Sequence, residues 1–176
     1  MIEETSDQDR HVREVYARFG LAIHHAQVLE HGLVNCLAML ELIPSRRDLA
    51  HSQAEWRAAV DAFFDRRFEA SMGRLMMALR EVTSIPTDLE GLLREALQRR
   101  NWLAHDFFRE RAAEFGTPSG REQMLLEVDA CRAVFEAADS RLDGITRPLR
   151  LSAGITDELM DREYRRMYGA VRKHDG

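Results

Sequence analysis

The stretch "LEGLLREALQRRNWLAHDFF", residues 89–108, predicts an amphipathic helix that carries one charge on its apolar stripe. Its apolar residues recur with a spacing of about 3.6, at positions 89, 93, 96, 103, 104 and 107. The same period predicts an apolar residue at position 100, where the sequence has Arg100. Because an unpaired charge inside a core is costly, Arg100 must be paired or functional. Asn101 and His105 are four residues apart, so they share one face of this helix.

Prolines and helix-start patterns divide the rest of the chain into helical pieces. Proline disfavours a continuing helix, so the prolines at positions 44, 86, 118 and 148 mark expected boundaries. Ser52, Thr87 and Ser119 are each followed three residues later by glutamate, which is the pattern of a capping box. Thr156 precedes two acidic residues and is expected to start a last helix.

Between these boundaries the apolar residues keep helical spacing, and no stretch alternates with the period of two that a strand requires. We therefore expect an all-α fold, an up-and-down bundle of four long helices plus a shorter C-terminal helix. The chain, 1–176, is expected to be a single domain, with the C-terminal helix, 155–173, packed on the bundle as an appendage. That helix is expected to dock by Leu159, Tyr164, Met167 and Val171 rather than bind a membrane.

Composition and charge exclude several classes of function. The net charge of −5 argues against binding nucleic acid through the field of the whole protein, and no DNA partner is expected. Neither Cys36 nor Cys131 has metal-like spacing, so reduced thiols in the cytoplasm are expected. The N-terminus lacks an apolar signal region, and the longest apolar run is too short to span a bilayer.

No metal or cofactor is expected. The sequence has no Gly-rich phosphate loop and no Cys/His cluster. His24, His25 and His31 lie close together in the first long helix, but their spacing is not that of a metal site. Solvated or core-edge histidines are the better interpretation.

The six residues Arg100-Asn101-Trp102-Leu103-Ala104-His105 resemble the signature of the HEPN superfamily: an arginine, a polar residue that is often asparagine, a few variable positions and a histidine. The segment "YARFGLAIHHAQVLEHGLVNCLAML", residues 16–40, also looks like the opening helix of bacterial HEPN-like proteins. Members of this superfamily are small α-helical bundles, and many are metal-independent endoribonucleases that include toxins and antiviral effectors. The resemblance implies a single HEPN-like domain that cleaves RNA, with an antitoxin or another protein as a partner.

The residue types in the motif suit such chemistry. Metal-free RNA cleavage uses the ribose 2′-OH as nucleophile and needs a base and an acid, and histidine serves either role near neutral pH. A guanidinium stabilises the charge on the phosphoryl oxygens. Arg100 and His105 are therefore the expected catalytic residues, and Asn101 would orient His105 or bind phosphate. Since one motif offers one histidine, a two-fold homodimer with a composite site would supply the pair.

An architectural role for Arg100 is the alternative. Glu30 lies on or beside the apolar stripe of the first long helix, so its carboxylate can pair with Arg100. In that case the motif would be a scaffold, and the protein a non-catalytic HEPN-like module that binds a partner protein or a nucleotide.

Overall fold

The computed structural model describes residues 7–46 and 51–171, and within these ranges the chain forms helices and no strands. The helices are α1 Asp7–Leu37, α2 Gln53–Phe68, α3 Met72–Val82, α4 Thr87–His105, α5 Phe107–Glu110, α6 Ala112–Phe115, α7 Pro118–Ser152 and α8 Asp157–Val171. A π-helical turn, Ala38–Leu42, continues α1. The predicted all-α class is confirmed.

Four helices, α1, α3, α4 and α7, supply most of the core. The two longest, α1 with 31 residues and α7 with 35, pack along each other, α4 packs against both, and α3 packs on α1. The largest fully buried side chains are Leu29, Leu33 and Leu37 of α1, Met72, Leu75 and Leu79 of α3, Leu89, Leu93 and Leu103 of α4, Phe107 of α5, and Met124 and Phe135 of α7. The apolar stripe that begins at Leu89 therefore faces this core.

The long helices differ in three places from those that the sequence predicts. The second one is two helices, because the chain leaves the helical conformation between Phe68 and Met72, where Ser71 is extended. The helix with the motif ends at His105 and does not run on to Phe107. Pro148 is not a boundary but lies inside α7, where it is exposed, so water can bind the carbonyl that its ring leaves without a donor.

Two of the four predicted helix starts are found where expected. Ser52 forms a complete capping box with Glu55, and Thr156 Oγ1 accepts a hydrogen bond from Leu159 N at 3.2 Å. Thr87 is instead the first residue of α4, which begins without a side-chain cap. Ser119 is also not a cap. Thr117 caps α7 through a bond from Gly120 N to Oγ1 of 3.1 Å, because Pro118 needs no partner at the first helical position.

An acidic residue joins α8 to the end of α7. The Asp157 carboxylate pairs with Arg147 and, at 2.8 Å, with Arg150. Leu159 is half-buried, whereas the side chains of Tyr164, Met167 and Val171, the other expected docking residues, lie outside those that the structure describes, as do residues 172 and 173. Among the described helices, none is long and apolar enough to cross a membrane.

Candidate functional site at the end of α4

Arg100 lies on the buried stripe of α4 but at the edge of the bundle. Leu93, Ala96 and Leu103 on the same stripe are buried, whereas the Arg100 side chain is 32% exposed. Ala104, which the apolar period also places on the stripe, is exposed. The charge therefore sits where the core meets solvent, so its guanidinium is not fully desolvated.

Glu30 and Asn101 orient the Arg100 guanidinium. Arg100 Nε donates to Glu30 Oε1 at 3.0 Å, and Arg100 Nη1 donates to Asn101 Oδ1 at 3.3 Å. Glu30 is on α1, and its side chain is 22% exposed. Among the described residues Nη2 has no acceptor, so the ion pair uses one nitrogen rather than the two-nitrogen fork of the strongest arginine–carboxylate pairs. Donors remain for an anionic ligand.

Asn101 and His105 lie on the exposed face of α4. Gln98 and Arg94, one and two turns before Asn101 on this face, are exposed as well. Within the described ranges no hydrogen bond or ion pair joins the His105 imidazole to a protein group. His105 is the last residue of α4, so its imidazole lies at the carboxyl end of the helix.

The structure brings Arg100, Asn101 and Glu30 together, but it does not bring His105 into that cluster. On a regular helix, residues five apart point in directions that differ by about 140°. In the part of the chain that the structure describes, no hydrogen bond joins Arg100 to His105. Their joint action on one phosphate therefore requires a ligand that spans the helix end or a second protomer.

Aromatic packing fixes the chain just after His105. Asp106 N donates to Trp102 O at 2.9 Å, and the next residue, Phe107, is fully buried. Its ring stacks on Phe19 of α1 with centroids 5.7 Å apart and meets the Trp102 ring edge-on at 5.0 Å. These contacts anchor the end of α4 against α1, and they hold the backbone of His105 in place.

Trp102 is also tied to the polar residues that follow the motif. Its Nε1 donates to Glu110 Oε2 at 2.8 Å, and the Arg111 guanidinium lies over its ring at 5.5 Å. Arg111 in turn donates through Nε to Glu127 Oε2 at 2.8 Å. Trp102 and Arg111 are not among the site residues that the sequence predicts, although the continuation of the apolar period to Phe107 is a signal that this segment packs.

A small cleft of about 260 Å³ lies on the other side of Glu30. Its polar and aromatic lining consists of Glu30, His31, Arg67 and Phe68. The Phe68 side chain is half-exposed, and its ring meets the His31 ring edge-on with centroids 5.0 Å apart. Glu30 lines this cleft and also accepts from Arg100, whereas Arg100 itself does not line the cleft. The cleft exists only because the chain bends between α2 and α3, so the sequence did not predict it.

Neither cysteine is suited to nucleophilic chemistry. Cys36 and Cys131 are both buried thiols. Burial raises the pKa of the Cys36 thiol and that of the Cys131 thiol, which disfavours the reactive thiolate. Neither thiol is therefore a candidate site residue.

Comparison with known proteins finds no matching family model, no matching curated protein and no matching solved structure. The resemblance to the HEPN superfamily therefore depends on the motif at residues 100–105 and on the helical fold.

Proposed function

We propose that this protein is a cytoplasmic, metal-independent endoribonuclease of the HEPN type, built on an up-and-down bundle and active as a homodimer. The observation that carries the proposal is the arrangement at the end of α4. Arg100 donates through Nε to Glu30 and through Nη1 to Asn101 and keeps Nη2 for an anion, while Asn101 and His105 are exposed to solvent. A role as a toxin or defence effector follows from the HEPN resemblance.

In this mechanism His105 of one protomer removes the proton from the ribose 2′-OH, and the 2′-oxygen attacks the adjacent phosphorus. The bond from phosphorus to the 5′-oxygen breaks, and His105 of the partner subunit protonates that leaving oxygen. Arg100 stabilises the charge that develops on the phosphoryl oxygens. The products carry a 2′,3′-cyclic phosphate and a 5′-hydroxyl, and no metal ion takes part.

Two supporting residues complete the proposed site. Asn101 accepts from Arg100 Nη1 through Oδ1, which leaves its amide NH₂ to donate to phosphate. Glu30 acts as a positioning residue, since its contact with Nε directs the Nη side of the guanidinium away from the core. Ala104, a small exposed residue next to His105, allows a second protomer to approach this end of α4 closely.

A second candidate function is supported by the same ion pair. Because Arg100 is paired with Glu30, the motif can be a scaffold, and the protein a non-catalytic helical module that binds a partner protein or a nucleotide. The cleft lined by His31 and Phe68 is of a size and chemistry that suits a nucleotide base.

The two functions are separated by cleavage assays on His105→Ala and Arg100→Ala, with His24→Ala as the matched control. His24 is an exposed helix histidine outside the motif. We expect the wild-type protein and His24→Ala to cut RNA in EDTA, and His105→Ala to lose at least about a hundredfold in rate. The melting temperature of His105→Ala should stay close to that of the wild type, because no described protein group forms a hydrogen bond or ion pair with the imidazole.

Light scattering provides the second measurement. The composite site requires a dimer at micromolar concentration, and His105→Ala should remain a dimer. A wild-type protein that is monomeric and cuts no RNA would contradict the nuclease, and nucleotide binding by that inactive protein would then support the binding module.

A further inference from the structure

A larger cavity, of about 670 Å³, lies between α1, α7 and the start of α8. It shares no residue with the Arg100–Glu30 contact. Its volume is within the range of about 300–1,000 Å³ that is typical of sites for small molecules. Seven of the sixteen described residues that line it are apolar: Val28, Ala38, Met39, Phe64, Leu142, Ile155 and Met160. Such a wall fits the hydrocarbon part of an organic ligand better than a bare ion.

Four of the eight described polar or charged residues that line this cavity are acidic, and Arg150 is the one arginine among them. Asp139 and Asp143 of α7 and Asp161 of α8 line it, and no ion pair joins these three carboxylates to any residue that the structure describes. The Arg150 guanidinium also lines the cavity, but Asp157 neutralises it at 2.8 Å. A ligand that enters between these walls therefore meets a net negative charge.

Asp139 is the most buried of these three carboxylates. It is half-buried, and a Cβ atom at Gly32 of α1 would lie 2.7 Å from its Oδ1. The glycine thus leaves the space in which the carboxylate lies between the two long helices. No described residue donates a hydrogen bond to this carboxylate, and burial raises its pKa. A half-buried acid without a donor is a group that a cationic ligand would satisfy.

We propose that the cavity binds a small organic ammonium ion with an apolar body. The ammonium group pairs with Asp139 and Asp143, and the hydrocarbon part packs against Met39, Phe64 and Leu142. An anionic ligand is disfavoured because the one arginine of the described lining is already paired. Within the described ranges no group of His, Cys, Asp and Glu is arranged to hold a metal ion. The site is independent of the proposed RNA cleavage.

Calorimetric titration with 2-phenylethylammonium, and with the neutral 2-phenylethanol of similar shape, tests this proposal on the full chain. We expect the amine to bind and the alcohol to bind about tenfold more weakly or not at all. Asp139→Asn should weaken amine binding about tenfold and leave alcohol binding unchanged. Asp143→Asn, on an exposed residue, provides a second variant with the same expected direction.

The matched control is Glu122→Gln, which removes one exposed negative charge from the other end of α7. It should bind the amine as the wild type does. No measurable amine binding at millimolar concentration would overturn the proposal. Equal affinities for amine and alcohol, or unchanged binding in both aspartate variants, would overturn it too, because the carboxylates would then not recognise the cation.

Discussion

Arg100 Nε lies 3.0 Å from Glu30 Oε1, and this contact joins α4, which ends at the candidate site, to α1 of the core. The two side chains are 32% and 22% exposed, so the pair is neither a surface ion pair nor a fully buried one. Exposed pairs stabilise a fold by about 0–1 kcal/mol, whereas breaking a buried pair costs about 3–5 kcal/mol. At this edge the contact can orient the guanidinium without being essential to the fold.

Arg100→Ala is expected to lower the free energy of unfolding by about 1–2 kcal/mol, between those limits, because Glu30 regains part of its water when its partner leaves. A double-mutant cycle with Glu30→Gln, measured by urea denaturation, should give a coupling energy of about 1 kcal/mol. A loss as large as that of a fully buried pair would show that Arg100 is architectural. A coupling energy of zero would show that the pair does not form in solution.

Thr117, and not Ser119, is expected to hold the start of α7. Thr117→Ala removes the acceptor for Gly120 N and should cost about 1 kcal/mol of stability. Ser119→Ala, two residues away, should change stability by less than about 0.5 kcal/mol, because its side chain makes no capping bond. Thermal melts of the two variants test this assignment. A larger loss of stability in Ser119→Ala than in Thr117→Ala would show that Ser119 is the cap.

The class of the fold could be predicted from the sequence, but the boundaries of several helices could not. Helical period and the absence of strand-like alternation were enough for the all-α class, because both depend only on spacing along the chain. Pro148 was misassigned as a boundary, since a proline at an exposed turn of a long, well-packed helix is tolerated. The bend at Ser71 carries no proline, and the local signals there, a serine at the N-cap position and Gly73, are too common to predict a break on their own.

The candidate site, like the fold, could be predicted only in part from the sequence. An ion pair between Arg100 and Glu30 could be predicted from the sequence, because both residues lie on or beside apolar stripes that face each other in a bundle. The partial exposure of Arg100 could not be predicted, because a place on the apolar stripe does not show how close a residue lies to the edge of the core. The cavity with Asp139 was not predicted either, because it depends on the close approach of α1 and α7 at Gly32.

Gly120 is expected to be irreplaceable for a steric reason. A Cβ atom there would lie 2.2 Å from the carbonyl oxygen of Glu114, and backbone cannot move aside as a side chain can. Gly120→Ala should therefore destabilise the protein by about 1–3 kcal/mol. Gly144→Ala in the same helix meets nothing within 4 Å and should stabilise it by about 0.5–1 kcal/mol through helix propensity. Urea denaturation of both variants checks the opposite signs, and a stable Gly120→Ala would contradict the close approach.

Asp139→Asn is expected to make the protein more stable near neutral pH. Burial, followed by the charge of Asp143, raises the pKa of the Asp139 carboxyl in the folded protein, and the charge of His25 on α1 offsets only part of this. A raised pKa means that folding favours the protonated acid, so its stabilising contribution is present below the unfolded pKa and is lost as the pH rises through the folded pKa. Asparagine resembles the protonated acid and removes this cost.

Melting temperatures should therefore show an advantage for Asp139→Asn near neutral pH that shrinks as the pH falls to about 4. Glu122→Gln, at an exposed position, should show no such pH-dependent gain. A destabilised Asp139→Asn near neutral pH would mean that the carboxylate has a favourable partner in the folded protein.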